Sequence, residues 1–301
     1  MPKALKVIKR DKYLILLLLP AILYYALFHY VPMYGLVIAF KKFSIANGIM
    51  GSEWVGFHWF AQFFESYYFF RLLKNTILLS LYSILIEFPI PIVFALLLNE
   101  YKDGLFKRTI QTVTYMPHFL SVVIVVGIMV NFLHPVDGVI NTLIESFGYK
   151  SIDFFNDPSW FRTLYIGSSV WQNFGFSSII YLAAISAIDP QLYEAARMDG
   201  ANRWQQMWSV TLPGILPVIM ILLILRVGNL LDVGFEKIIL MYNPSTYEVA
   251  DVISTYVYRR GILGSQYSFG AAVGLFNAII NFVLLIAMNR ISKKLTQNSL
   301  W

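Results

Sequence analysis

Cysteine is absent from all 301 residues, and charged residues make up only 13% of them. The first absence excludes disulfides, thiolate metal sites and a cysteine nucleophile. The second sets the class. A soluble domain carries about a quarter charged residues, whereas this chain is 58% hydrophobic, with a positive mean hydropathy of +0.63. An integral membrane protein is the expectation. Also missing is any GxxxxGK[ST] stretch, so the chain has no phosphate-cradling loop and is not its own nucleotide motor. No HExxH and no GxSxG nucleophile elbow occur. The four histidines (His29, His58, His118 and His134) are scattered without ligand spacing, and they read as satisfied polar or interfacial groups.

Long apolar runs are what the chain has in quantity. The opening MPKALKVIKRDK carries five basic groups, and the apolar run behind it reaches Phe40 without a small-residue cleavage pattern. It reads as an uncleaved first membrane helix rather than a signal peptide. A span needs about 20 mainly apolar residues, and six segments qualify: 13–40, 75–99, 112–134, 163–186, 214–233 and 269–289. The expected fold is therefore all-α and membrane-embedded, six helices in one domain over 1–301, with both termini on one side.

Basic residues identify that side. Segments 1–12, 100–111, 187–213 and 290–301 hold thirteen Lys and Arg in 63 residues, against nine in 97 for 41–74, 135–162 and 234–268. The richer set, termini included, is expected to be cytoplasmic. Net charge is thirteen minus six, +7, on that side and nine minus nine, zero, on the other. The positive charge thus follows membrane orientation. A nucleic-acid partner would instead need a basic patch on a compact domain.

The outward segments GSEWVGFHWFAQFFESYYFF and EVADVISTYVYRRGILGSQYSF are aromatic-rich. They suit either interfacial belts or reception of a polar, ring-bearing ligand or an external partner. Three ionisable residues fall inside apolar runs: Glu87, Arg226 and Asp232. Such groups face a bundle interior or a wet cavity. Counting along spans of opposite direction puts Glu87 and Arg226 at similar depth, so they are expected to pair, with direct substrate contact as the alternative. EFPIP places Pro89 and Pro91 in the second span, which should bend or open there. Asn131, Trp171, Gln172, Asn173, Asn229, Asn277 and Asn281 could line a pathway or act as interhelical glue.

One interruption stands out: YEAARMDGANRWQQMWSVTLP, Tyr193 to Pro213, between the fourth and fifth apolar runs. Asp189 reads as an N-cap with Pro190 at the first helical position. Leu192, Ala195, Ala196 and Asp199 share a face, and Gly200 suits a left-handed helix end. Asn202 can cap a second short helix with a Trp204, Met207 and Trp208 stripe, closed by Leu212-Pro213. A surface helix resting on lipid headgroups would explain the tryptophans. It would not explain the spacing of Glu-Ala-Ala, Gly and Leu-Pro.

That spacing resembles EAA-x3-G-x9-I-x-LP, the signature loop of membrane subunits of ATP-binding-cassette (ABC) importers. Here it reads Glu194-Ala195-Ala196, Gly200, Val210 and Leu212-Pro213, with valine for isoleucine as the departure. LLKNTILLSLYSI, ALLLNE, YMPHFLSVVIV and GFEKIILMYNP are similar to permeases of sugar importers, the maltose-transporter group. YEVADVISTYVYRRG, YSFGAAVGLF and the terminal SLW resemble the branch handling oligosaccharides and polysaccharide fragments.

The resemblance implies a type I importer permease of a bacterial cytoplasmic membrane, a translocation subunit rather than an enzyme. It also implies a second related permease, two copies of a separate ATPase carrying ATP and Mg, and an extracellular solute-binding protein. No cofactor is expected on this chain. Glu194, Ala195, Ala196, Gly200, Leu212 and Pro213 would form the ATPase-docking element, and Glu87, Asn131, Trp171, Asn173, Arg226, Asn229, Asp232 and Asn277 the candidate path. Arg226 and the Arg259-Arg260 pair would suit an acidic glycan. An importer of another solute, a secondary transporter and a membrane enzyme on lipid-linked glycans are the rival readings. The last two lack a visible inverted repeat or ion relay, or a cluster of acid and base groups.

Overall fold

The computed structural model describes residues 12–296. Both the basic MPKALKVIKRD segment and the terminal SLW lie outside the described residues. The described chain is mostly helical. In order come α1 (Lys12–Tyr25), a two-stranded antiparallel ribbon of β1 (Lys41–Lys42) and β2 (Glu53–Trp54), α2 (His58–Phe64), α3 (Phe69–Tyr82), α4 (Pro89–Glu100) and α5 (Leu105–Tyr115). Then follow α6 (Val122–Phe132), α7 (Pro158–Ser186), α8 (Pro190–Met198), α9 (Arg203–Gln206), α10 (Leu212–Gly228), α11 (Phe235–Met241) and α12 (Tyr267–Thr296).

Among the described residues, four continuous helical stretches are long and apolar enough to cross a membrane: Lys12–Phe40, Phe69–Glu100, Arg203–Gly228 and Tyr267–Lys294. Leu105–Phe119 with Val122–Phe132 makes a fifth if the two are one span, since they meet at a bend of 100°. The third expected span is thus a broken helix. The break falls at Leu120–Ser121, both extended, just after a 3-10 turn over Met116–Phe119 that holds Pro117, and Ser121 starts α6 afresh by accepting the Ile124 N–H. The fourth expected segment lies within α7, which has the length, 29 residues, but carries Arg162, Ser168, Ser169, Gln172, Asn173, Ser177 and Ser178. Its polarity has a structural reason: α7 is the helix against which α4, α5, α10 and α11 pack.

Two compact units divide the chain. One comprises the described part of Met1–Ser66 with Val257–Phe276. In it, α1 runs on through further helical turns to Phe40, its apolar side chains exposed as a lipid-facing helix requires. The aromatic outward segment folds on itself: Phe40 stacks on Trp54 at 5.7 Å and meets Phe57 and Phe60, while Phe63 is buried against Phe269 and Phe276. Many of these rings serve one another as a cluster. Gly261 and Gly270 pass so closely that a Cβ on Gly261 would come within 2.9 Å of the Gly270 Cα.

The other unit comprises Tyr67–Tyr256 with the described part of Asn277–Trp301. Lipid is as apolar as leucine, so close backbone approach and polar contacts hold such helices together. Both are present. A Cβ on Gly175 of α7 would collide with the Thr114 carbonyl of α5, so glycine permits that crossing. Asn75 donates to the Glu248 and Asp251 carbonyls and accepts from Arg162, while Asn141 donates to three carbonyls, those of Leu133, His134 and Ile152. Asp157 caps α7, and the Ser159 N–H it accepts holds its carboxyl below the usual range.

Candidate functional site

Pro89 and Pro91 cannot donate the backbone bonds that an α-helix expects. The second span meets this with a π turn over Ser83–Glu87, in which the Phe88 N–H reaches back to the Ser83 carbonyl at 3.1 Å. The wider turn brings Ser83 and Glu87 onto one side, toward α10. There Arg226 donates to a Glu87 carboxylate oxygen at 2.7 Å and also to the Ser83 hydroxyl. The two intramembrane charges meet, as their matched depths suggest. Asp232 is no part of that pair: α10 ends at Gly228, and Asp232 lies, exposed, just beyond it.

The pair stands in the wall of a two-lobed cavity. One lobe of about 510 Å³ is lined by Glu87, Gln172, Asn173, Arg226, Asn229 and Asp232, and by Ser83, Tyr165, Ser169, Glu236 and Lys237. A second of about 780 Å³ shares Glu87, Ser169, Asn173, Arg226 and Asn229 with the first and adds His118 and Phe176. Both volumes fall in the roughly 300–1,000 Å³ range of small-ligand sites. The 3-10 turn before the break carries His118, whose ring lies flat on Phe176 at 3.9 Å and bonds Asn173 Oδ1 at 3.0 Å. Gln172 donates to the Leu120 carbonyl at 2.9 Å. Residues of α7 and of the broken third span thus make an amide-rich wall.

Three expected pathway residues sit elsewhere. Asn131 donates to the Gly127 carbonyl of its own helix, and Trp171 is an exposed ring on α7 outside the cavity lining. Asn277 buries a side-chain oxygen without a hydrogen-bond partner, also outside the lining. Asn281 accepts the Leu231 N–H at 3.0 Å and so anchors the end of the fifth span. Ser83, Ser169 and Lys237 are cavity residues that the sequence does not single out. Only the helix faces reveal the serines, and Lys237 lies in a stretch that reads as outer loop. Among the described residues, no group of three or more His, Cys, Asp or Glu could hold a metal ion.

At the far end of α10 the interrupting loop takes the form its caps imply. Asp189 accepts the Gln191 N–H at 2.9 Å and starts α8. Gly200, at φ +80°, ends it: the Ala201 N–H reaches the Ala196 carbonyl and the Gly200 N–H that of Arg197, the paired bonds of a Schellman motif. Asn202 and Gln205 then cap each other as a capping box. Glu194, Ala195, Gly200 and Pro213 are exposed, Ala196 and Leu212 half-buried.

The second helix differs from expectation. Leu212-Pro213 does not close it. A π turn over Met207–Thr211, with the Leu212 N–H on the Met207 carbonyl, absorbs the missing proline donor, and helix continues unbroken from Arg203 to Gly228. The Trp204 and Trp208 rings are exposed and Met207 is buried. Two contacts pin this element: Tyr193 Oη with Thr211 Oγ1 at 3.0 Å, and Arg203 with the Glu100 carboxylate at 3.5 Å. One helix therefore joins the capped loop to Arg226 in the cavity wall, roughly 35 Å along its axis.

Known proteins resemble this chain in sequence and fold. Residues 87–297 match the family model described as binding-protein-dependent transport system inner membrane component. The polygalacturonan/rhamnogalacturonan transport system permease protein YteP of Bacillus subtilis is 48% identical over 97% of this chain and 91% of its own. Protein LplB of the same organism is 47% identical over 98% and 92%. A chain of a bacterial ABC transporter involved in the import of the acidic polysaccharide alginate superposes with a TM-score of 0.91 at 46% identity, covering 98% of this chain and 99% of that one. A capped surface loop, a helix leading from it to a polar cavity, and a family match across most of the chain agree: this chain belongs to the inner-membrane permease components of binding-protein-dependent ABC importers, as a translocation subunit rather than the ATPase.

Proposed function

We propose that this permease imports acidic oligosaccharides or polysaccharide fragments, handed to it by an extracellular binding protein and driven by a separate ATPase. The observation that carries the reading is near-full-length similarity, at 46–48% identity, to an alginate importer chain and to a polygalacturonan/rhamnogalacturonan permease. On this reading the chain is one permease domain with six spans and both termini in the cytoplasm. It pairs with a second related permease and two copies of the ATPase, on which ATP and Mg reside.

Glu194, Ala195, Ala196 and Gly200 form the docking face, and Leu212 and Pro213 join it to the fifth span. A ligand or nucleotide shifts a conformational equilibrium only through contacts that differ between states. ATPase closure therefore acts on the docking face, and the continuous Arg203–Gly228 helix transmits the displacement to Arg226. Glu87, Asn173, Arg226, Asn229 and Asp232 lie on the path, whose amides and hydroxyls suit sugar hydroxyls.

Reconstituted with its partners in proteoliposomes, the importer should hydrolyse ATP several-fold faster when the binding protein carries alginate or polygalacturonan oligosaccharides. Neutral arabino-oligosaccharides should not produce this increase. Equal stimulation by both classes would remove the acidic part of the reading, and no stimulation by either would remove the carbohydrate part.

A further inference from the structure

Among the described residues Lys237 is the cavity cation that no carboxylate bonds; the nearest carboxylate field it feels is that of Glu87, which is itself bonded to Arg226. It is only 6% exposed. Its ammonium donates to the Tyr165 carbonyl at 3.1 Å and the Ser169 hydroxyl at 2.7 Å, and lies 5.2 Å from the centre of the Tyr165 ring. Among the described residues it forms no ion pair. The other cation of the wall, Arg226, is already neutralised by Glu87.

An ammonium has three donors, and two of them are used on neutral oxygens. Burying a charge with no carboxylate in contact is costly, and packing alone would be served as well by an uncharged side chain. Asp232 and Glu236, the remaining charges of the lining, are exposed and are not bonded to the ammonium. Ser169 lines both lobes of the cavity, so its bond to Lys237 sets the ammonium at the wall the solute passes.

We propose that Lys237, held by Tyr165 and Ser169, is a binding subsite for a sugar carboxylate and sets the permease's preference for uronic-acid saccharides. This rests on the acidic-saccharide reading above. The glycan carboxylate supplies the missing counter-ion and takes the third N–H, while Asn173 and Asn229 face the rest of the ring. A lysine suits a passing ligand better than an arginine, whose bidentate fork would hold a carboxylate more firmly.

The test is equilibrium binding of labelled alginate pentasaccharide, and of the same sugar with its carboxyls reduced to alcohols, to the purified importer complex without binding protein. The wild-type complex should favour the acidic form by about 30-fold, the factor matching the roughly 2 kcal/mol lower bound for losing a buried charged partner. Lys237→Gln should erase that preference while leaving affinity for the reduced sugar unchanged, and Lys237→Arg should keep it. A preference that survives Lys237→Gln overturns the subsite and leaves the acidic reading standing. A wild-type complex without preference overturns the acidic reading itself. Should Lys237→Gln fail to assemble, acylation of wild-type Lys237 decides: the acidic pentasaccharide should protect the amine and the reduced one should not, and equal reactivity overturns the proposal.

Discussion

Gly200→Trp is expected to leave the chain inserted in the membrane while reducing solute-stimulated ATP hydrolysis to less than a tenth of wild type. The position is left-handed, φ +80°, and nothing lies within 4 Å of where its Cβ would be. A large side chain therefore starts in open space and projects from the face proposed to receive the ATPase. Part of the effect would be backbone strain, since a non-glycine residue there costs about 1–2 kcal/mol. Gly200→Asn separates the two causes, because asparagine tolerates the left-handed region. It should retain most of the stimulation. If Gly200→Trp hydrolyses ATP as wild type does, the docking face is elsewhere.

The second large effect concerns the Glu87–Arg226 pair. Glu87→Arg or Arg226→Glu places like charges where the structure has a 2.7 Å bond inside the membrane. Breaking a fully buried pair costs about 3–5 kcal/mol, and an exposed one less than about 1. Here the side chains are 18% and 48% exposed to the cavity, so roughly 2 kcal/mol is expected for each single reversal. The double reversal restores opposite charges at the same positions and should recover more than half of the loss, both in thermal stability of the purified complex and in transport. The Ser83 hydroxyl, which now accepts from Arg226, can turn to donate to a carboxylate from the other side. A double variant no better than the worse single one would show that each charge acts separately, on solute rather than on its partner.

The parts of this fold legible in the sequence are those written in local chemistry. Asp189, Gly200 and Asn202 announce the ends of two short helices because capping depends on one or two residues at fixed offsets. The Glu87–Arg226 contact follows from depth counting, since unpaired charges in lipid are intolerable and these two stand level. What escaped depends on helix continuity and helix face. Leu212-Pro213 looks like a stop, yet a π turn carries the helix through it. The same device lets Ser83 join Glu87 despite Pro89 and Pro91. The third span passes for one apolar run although extended Leu120 and Ser121 break it by 100°. Asn131 and Asn173 look alike in sequence. One bonds its own helix and the other lines the cavity, because only packing decides which face turns inward. Lys237 was hidden for a related reason: its significance lies in Ser169 and Tyr165, some seventy residues away in the chain.

The absence of native cysteine makes a decisive experiment simple, because one engineered thiol will be unique in this chain. Met198 is 87% exposed at the end of α8, beside Gly200. With Met198→Cys in the intact importer, a short thiol-to-amine cross-linker should yield one major adduct, to the separate ATPase subunit, in an amount that changes when ATP is added. An assembled, transport-competent importer whose Met198→Cys thiol never links to the ATPase, with or without nucleotide, would contradict the proposal that this loop is where the motor attaches.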